Sequence, residues 1–288
     1  MKVAVTGASG FLGQYVLREL AKRGNVEVIA AARTMKESGL QVGREKFVCL
    51  DVDSVPLDTA FAMLDSPDIV IHLAWAGLPN YMSLHHIEAH LANQYRFLSS
   101  MVRSGLPSLT CAGTCFEYGM AAGALTEDMP SNPTNPYGFA KETLRRQLGF
   151  LQAQQNFRLT WARLFYVYGE GQPSTSLYQQ FMSAGRSGER RFRMSSGEQL
   201  RDFLPVEEVA SYLVTLALDT SGSGTVNVCS GKPVSVRSLV EKWRTEQDWD
   251  IELDLGYYPY PDYEPMAFWG SNRRLHDLLT VRLSGAVP

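Results

Sequence analysis

Two residues in the stretch "NPYGFAK", Tyr137 and Lys141, are of the types and spacing that proton chemistry needs. They stand at i and i+4 near the start of a predicted helix and so share one face. A phenol with an ordinary pKa of about 10 is a poor acid or base at neutral pH, and a nearby ammonium lowers that value by stabilising the phenolate. Such a pair can exchange a proton with an alcohol or a ketone. With thirteen tyrosines in 288 residues, the spacing alone arises by chance about a third of the time. Thr114, at the end of a predicted strand in "GTCFEYG", offers a hydroxyl that could hold the same substrate oxygen, or could complete a strand-to-loop turn.

A second pattern lies at the N-terminus. In "VTGASGFLGQYV" (5–16), Gly7, Gly10 and Gly13 fall between an apolar strand and a helix. Glycine permits the tight turn and lets backbone approach a pyrophosphate, while the helix N-terminus presents unpaired N–H groups and the positive end of its dipole. A glycine turn without a ligand is the alternative. The second strand, "IAAARTMK", ends without a carboxylate and with Arg33, followed by Lys36. That favours a ribose 2′-phosphate, hence NADP(H) in preference to NAD(H), which stays possible; the competing reading is a solvated loop cation. Asp51 in "CLDVD" either accepts from an adenine amino group or caps the following turn.

These residues need a scaffold that brings strand ends together. Apolar runs at 2–7, 26–33, 47–51, 68–74, 108–114 and 157–165 alternate with helical patterns at 11–24, 84–105 and from about Pro136. Val/Ile/Leu-rich strands alternating with helices predict an α/β doubly wound parallel sheet covered on both faces. After residue 166 the alternation loosens into Gly-, Ser- and Arg-rich stretches, and the later elements are short. We read residues 1–165 as a dinucleotide-binding domain and 166–288 as a smaller, partly interleaved substrate lobe, with chemistry in the cleft between them.

The chain is 45% hydrophobic with a formal charge of −3. It has material for a substantial core and lacks the positive field that nucleic acid or an anionic membrane calls for, so small-molecule partners are expected. The four cysteines form no C-x-x-C pair, and no signal segment or membrane-length apolar run is evident; a cytoplasmic protein with reduced thiols follows.

Taken in order, "TGASGFLG", "HLAW" at 72–75, Thr114 before "EYG", "NPYGFAK", "RLFYVYGEGQ" and "RDFLPVEEVA" resemble the extended short-chain dehydrogenase/reductase family over nearly the whole chain. The resemblance implies a Rossmann-type NAD(P) site built from Gly7, Gly10, Phe11, Leu12, Gly13, Arg33, Asp51, Val52, Leu73 and Ala74. It implies that Tyr137 is the acid/base and that Lys141 binds the nicotinamide ribose. It also implies a nucleotide-diphosphate sugar as substrate, with Arg201 and then Arg193 as phosphate contacts. For Arg201 a structural pairing with Glu207 or Asp202 is the alternative. A homodimer pairing helices near 84–104 and 136–155 is implied as well.

Departures from the family pattern narrow the reaction. Cys115 and Phe116 stand where family dehydratases carry an Asp-Glu pair, which disfavours dehydration. Arg33 stands where C4 epimerases show an acidic residue, and Tyr166 replaces a common Asn. The resemblance therefore implies reduction of the 4-keto group of a nucleotide-linked 4-keto-6-deoxyhexose, with dTDP as carrier and the fucose configuration as product from overall likeness alone. A 4-epimerase and a non-catalytic NAD(P)-sensing scaffold are the alternatives. His86 and His90, with Glu88 between them, lack the zincin order, so no metal is expected. The aromatic stretch 256–270 could stack a sugar or base, or pack as an irregular tail.

Overall fold

The computed structural model describes residues 1–34, 45–219 and 224–284, with side chains to residue 280. Lys36 lies outside the described residues.

Strand β1 (Lys2–Thr6), helix α1 (Phe11–Ala21) and strand β2 (Glu27–Ala32) form the opening β-α-β unit. Val3, Ala4 and Val5 are fully buried, as a strand covered on both faces requires. Next come β3 (Lys46–Cys49), α2 (Ala60–Met63) and β4 (Ile69–His72), then one π-helical turn (His86–His90) that leads into α3 (Leu91–Arg103). Strand β5 (Ser108–Thr114) ends in a 3-10 turn (Cys115–Tyr118), followed by β6 (Gly123–Leu125), α4 (Pro136–Gln152) and β7 (Arg158–Leu164). The Asn135 side chain caps α4 by accepting from Gly138 N, and Pro136 occupies the first turn, where its missing N–H costs nothing.

The remainder supplies β8 (Tyr166–Tyr168), α5 (Leu177–Arg186), β9 (Arg191–Arg193), β10 (Leu200–Pro205) and α6 (Val206–Leu218). Then follow β11 (Gly224–Val228), β12 (Pro233–Ser235), α7 (Val236–Glu246), β13 (Glu252–Asp254), β14 (Phe268–Gly270) and α8 (Arg273–Ser284).

The main sheet has seven parallel strands in the order β11-β7-β5-β4-β1-β2-β3. Strand order reverses between β1 and β4, which opens a crevice at their carboxyl ends. On one face α1 and α6 bury Val16, Leu20, Val209 and Leu213; on the other, α3 and α4 bury Phe97, Leu98, Leu144 and Leu148. A separate core of Phe181, Phe192, Val240 and Trp243 holds the later lobe together. The chain interleaves: β11 and α6 return to the main sheet, and β6 pairs with β14. No helix among the described residues is long and apolar enough to cross a membrane.

The single helix expected over 84–105 is two pieces. The wider turn at His86–His90 directs both histidine rings at Trp75, with centroids 6.1 and 5.9 Å away, before regular α3 begins at Leu91.

Candidate active site

An open cleft with an empty volume of about 690 Å3 lies over the β1/β4 switch point. Gly7, Gly10, Arg33, Asp51, Val52, Leu73 and Ala74 line it, with Ser9, Asp53, Trp75 and Gln94. Gly7 has φ +71°, and a Cβ there would stand 2.8 Å from Ala74 N; only glycine allows both the turn and the close approach of β4. Gly10 is the N-cap of α1 and has no side chain to satisfy the first N–H groups, which leaves them for an anion. Phe11, Leu12 and Gly13 can offer the cleft only their backbone N–H groups. Gly13 is covered by the Gly7–Ala8 backbone, Leu12 packs on the α1 core, and the Phe11 ring lies edge-on to Tyr15 at 5.8 Å.

Arg33 is exposed at the rim of this cleft. Asp51 caps the turn that follows it, its Oδ1 accepting from Asp53 N at 3.1 Å, and still lines the cleft. Beneath the floor, His72 Nε2 donates to Gln94 Oε1 at 2.6 Å, and its Nδ1 meets Thr6 Oγ1 at 2.8 Å. An amide oxygen can only accept, so the Thr6 hydroxyl must be the donor to Nδ1. Burial pushes the His72 pKa down to about 3 and keeps the ring neutral. This relay fixes β1, β4 and α3 to one another below Leu73 and Ala74.

Behind Trp75, which lines the cleft, Thr114, Tyr137 and Lys141 are all buried, each less than 8% exposed. The Lys141 Nζ donates to Ala112 O at 2.8 Å and lies 4.0 Å from the Trp75 ring centre and 5.9 Å from that of Tyr137. Desolvation lowers its pKa to about 8. Tyr137 departs from expectation. Burial, then the charges of Tyr81, Glu117 and Cys115, raises its pKa above the ordinary phenol value, with a Thr114 side-chain hydrogen bond opposing. The ammonium faces a carbonyl and an indole, so it does not offset the burial of the phenol, and Tyr137 keeps its proton at neutral pH.

Thr114 fills both roles considered for it. Its Oγ1 accepts from Phe116 N at 3.3 Å and its N–H donates to Glu117 Oε1 at 2.9 Å, a capping box that leaves the hydroxyl proton beside Tyr137. Glu117 is fully buried; its Oε1 also accepts from Trp161 Nε1 at 2.9 Å and its Oε2 from Arg163 Nε at 2.6 Å. Desolvation raises the Glu117 pKa against the pull of Arg163.

The two arginines expected to meet phosphate are placed differently from each other. Arg193 is exposed, with its guanidinium 4.5 Å from the Tyr257 ring centre and 3.9 Å from Asp254. Arg201 is buried and pairs with neither Glu207 nor Asp202. Its Nε and Nη2 donate to Glu264 Oε2, its Nη1 to Leu200 O and Met266 O, while Asp202 accepts from Ser230 and Gly231. As the structure stands, Arg201 is committed to Glu264 and not free for a phosphate.

His86 and His90 serve Trp75. Trp75 Nε1 donates to His86 Nδ1 at 3.1 Å, and His86 Nε2 donates to Asn80 O at 2.9 Å. Among the described residues no group of three His, Cys, Asp or Glu side chains is arranged to hold a metal. Sequence reasoning missed Trp75, Tyr81, Glu117 and Glu264. The first was present inside the quoted "HLAW", and Glu117 inside "FEYG".

Residues 3–229 match the NAD dependent epimerase/dehydratase family. The chain is 29% identical over 272 residues to a dTDP-6-deoxy-L-talose 4-dehydrogenase (NAD(+)) of Aggregatibacter actinomycetemcomitans, covering 94% of this chain and 100% of that one. It is 27% identical to a dTDP-6-deoxy-L-talose 4-dehydrogenase (NAD(P)(+)) of Kitasatospora kifunensis, with 91% and 83% covered. Among solved structures it is similar to MoeE5 in complex with UDP-glucuronic acid and NAD, at TM-score 0.83 and 26% identity over 97% of this chain and 93% of that one.

Proposed function

Because the chain belongs to the NAD dependent epimerase/dehydratase family, we propose that it interconverts a ketone and an alcohol at C4 of a dTDP-linked 6-deoxyhexose, running as an NAD(P)H-dependent ketoreductase. The observation that carries this reading is the burial of Thr114, Tyr137 and Lys141 together behind Trp75, which lines the cleft. The glycine turn at Gly7, the uncapped N-terminus of α1 and the carboxylate of Asp51 fit a dinucleotide, and Arg33 favours a 2′-phosphate.

When bound, the reduced nicotinamide supplies the hydride to C4. The Thr114 hydroxyl hydrogen-bonds the substrate oxygen, keeping its own proton, and fixes its position. Tyr137 gives its own proton to the oxygen as the C–O double bond becomes single, so hydride and proton together complete the alcohol. Lys141, its ammonium 5.9 Å from the Tyr137 ring centre, would supply positive charge to the resulting phenolate and a donor to a ribose hydroxyl on turning from Ala112 O. Cys115 and Phe116 supply no acid/base carboxylate after Thr114, and the carboxylate of Glu117 is committed to Thr114 N, Trp161 and Arg163, in keeping with redox chemistry at C4 and not loss of water.

The names of the two relatives move the hexose toward the L-talo series, from the fucose configuration expected by overall likeness. Oxidation of 6-deoxy-L-talose at C4 gives the same ketone as oxidation of 6-deoxy-L-mannose, and that ketone is the substrate we favour. A homodimer through α3 and α4 fits the exposure of Phe139 and Phe150 on α4, and a cytoplasmic location fits the expected reduced thiols.

The test is loss of reduced-nicotinamide absorbance on adding dTDP-4-keto-6-deoxy-L-mannose or dTDP-4-keto-6-deoxyglucose, with NADPH and NADH side by side. Stoichiometric loss with the L-ketone supports the reading, and a faster rate with NADPH supports Arg33 as the phosphate reader. Isomerisation without net redox change would instead point to an epimerase. Tyr137→Phe should cut turnover by roughly 100-fold or more while cofactor binding is retained.

A further inference from the structure

Trp75, just past the end of β4, touches both the dinucleotide cleft and the buried trio. The face of its ring carries the Lys141 ammonium at 4.0 Å, and the Tyr137 ring meets it edge-on at 5.9 Å. The indole is locked in that orientation. Its Nε1 donates to His86 Nδ1 at 3.1 Å, and His86 Nε2 donates in turn to Asn80 O at 2.9 Å. Because Nδ1 accepts, the imidazole is the neutral tautomer with its proton on Nε2, and burial favours that form by lowering the His86 pKa. His86 is fully buried and stacked against the indole, so the acceptor is itself fixed.

What else faces the ammonium sets the weight of this contact. Around it stand Cys111 on β5, Glu117 in the 3-10 turn, His72 at the end of β4, His86 in the π-helical turn and Tyr137 on α4. Burial keeps the Cys111 thiol and the Tyr137 phenol protonated and both imidazoles neutral, while Glu117 is committed to Arg163. The direct partners of the ammonium are therefore one carbonyl, Ala112 O at 2.8 Å, and the indole face. A carboxylate in the place of the indole would cancel the positive charge. An indole attracts the cation through its quadrupole and carries no net charge of its own. The field of the ammonium thus stays available to the phenolate that Tyr137 becomes, and no ion pair has to break when Lys141 turns to a ribose hydroxyl.

We propose that Trp75 is a positioning residue for the reduction at C4: its indole, locked by His86, seats the Lys141 ammonium at the border between the dinucleotide cleft and Tyr137. Without the aromatic face the buried ammonium keeps Ala112 O alone, and both its charge and its place are harder to hold. This inference rests on the ketoreductase reading above and adds to it the residue that keeps the cation charged and in position.

Nuclear magnetic resonance of protein carrying isotope-labelled lysine reads the titration of Lys141 directly, its signal among the seven lysines being identified by its loss in Lys141→Met. Phenylalanine and leucine are similar in size and differ in the aromatic face, so Trp75→Phe and Trp75→Leu form a matched pair. Trp75 is only partly buried, and both variants should fold. From a parent midpoint of about 8, Trp75→Leu should bring the midpoint down by roughly 1 pH unit, a tenfold shift in the protonation equilibrium, and Trp75→Phe by less than half as much. At neutral pH, kcat for dTDP-4-keto-6-deoxy-L-mannose should fall roughly 10-fold in Trp75→Leu and be largely rescued in Trp75→Phe. A Trp75→Leu midpoint equal to that of Trp75→Phe, or at or above the parent's, would show that the ring face does not hold the ammonium and overturns the proposal. So does an unaltered kcat in Trp75→Leu. If the parent turns over neither keto sugar, the ketoreductase reading falls and takes the catalytic role with it, while the midpoints, which need no substrate, still decide whether Trp75 holds Lys141.

Discussion

The Lys141 ammonium lies 4.0 Å above the Trp75 ring, enclosed with no carboxylate hydrogen-bonded to it. A buried cation without an ion-pair partner is expensive, and the chain keeps it at the point where chemistry is proposed. The cation–π contact and the bond to Ala112 O offset only part of the cost, since the pKa falls from 10.5 to about 8.

Lys141→Met should therefore abolish turnover and stabilise the fold. Below pH 8 both folded and unfolded lysine carry the proton, and the full penalty, roughly 3 kcal/mol, is present. Between about pH 8 and 10.5 the unfolded state binds the proton that the folded state has lost, so the residue's contribution to stability rises with pH. At pH 7 the variant should gain roughly 1–3 kcal/mol, less than the full penalty because Ala112 O loses its donor. That corresponds to about 2–4 °C of Tm per kcal/mol, fading toward pH 10.5. A Tm below the parent's at pH 7 would contradict the burial cost assigned to Lys141.

His72 makes the opposite limb of the pH profile. Its folded pKa is about 3 against an ordinary 6.5. As pH falls below 6.5 the unfolded histidine takes a proton that the folded one refuses, and stability is lost down toward pH 3. From pH 7 to pH 5 this one residue should cost about 2 kcal/mol. Denaturant unfolding at both pH values, compared with His72→Asn, isolates the effect: the variant's stability should fall less over the same interval.

The glycine turn, the strand–helix alternation and the Tyr137/Lys141 face were legible because each is a local pattern within a few residues. What surrounds them was not. Glu117 meets Arg163 across 46 residues of sequence and Arg201 meets Glu264 across 63, and the sequence showed the arginine without showing which carboxylate would reach it. The family resemblance implied Arg201 as a phosphate contact, with a structural pairing as the alternative; the fold pairs it, with Glu264 as a partner that local sequence could not show. The direction of the Tyr137 shift was misjudged for a related reason. An i, i+4 spacing places Lys141 on the same face, but burial and the bond to Ala112 O decide where the ammonium points.

Glu117→Gln tests the support under Thr114. The substitution leaves the buried Arg163 guanidinium with only the longer, 3.4 Å contact to the Glu142 carboxylate and should destabilise by roughly 3 kcal/mol. A double change, Glu117→Met with Arg163→Met, should recover much of that stability because neither charge is left alone. Turnover should not recover with it, since Thr114 N loses the Glu117 acceptor that fixes the turn carrying the hydroxyl. Recovery of both together would reduce the pair to packing.

Gly138 gives the most specific geometric prediction. It lies in the first turn of α4 immediately after Tyr137, where alanine ordinarily favours a helix by about 1 kcal/mol. Here a Cβ would stand 2.6 Å from Phe116 O, in the 3-10 turn that follows Thr114. The backbone carbonyl cannot step aside cheaply, so α4 must withdraw from the turn and carry Tyr137 away from Thr114. Gly138→Ala should therefore destabilise by about 1–3 kcal/mol. It should also lower kcat by roughly 100-fold, the scale of a 1 Å misplacement, with dinucleotide affinity unchanged because the Gly7 cleft is untouched. Steady-state kinetics beside a cofactor titration would read this directly. A variant that gains stability and keeps its kcat would show that the contact between α4 and the turn does not set the catalytic geometry.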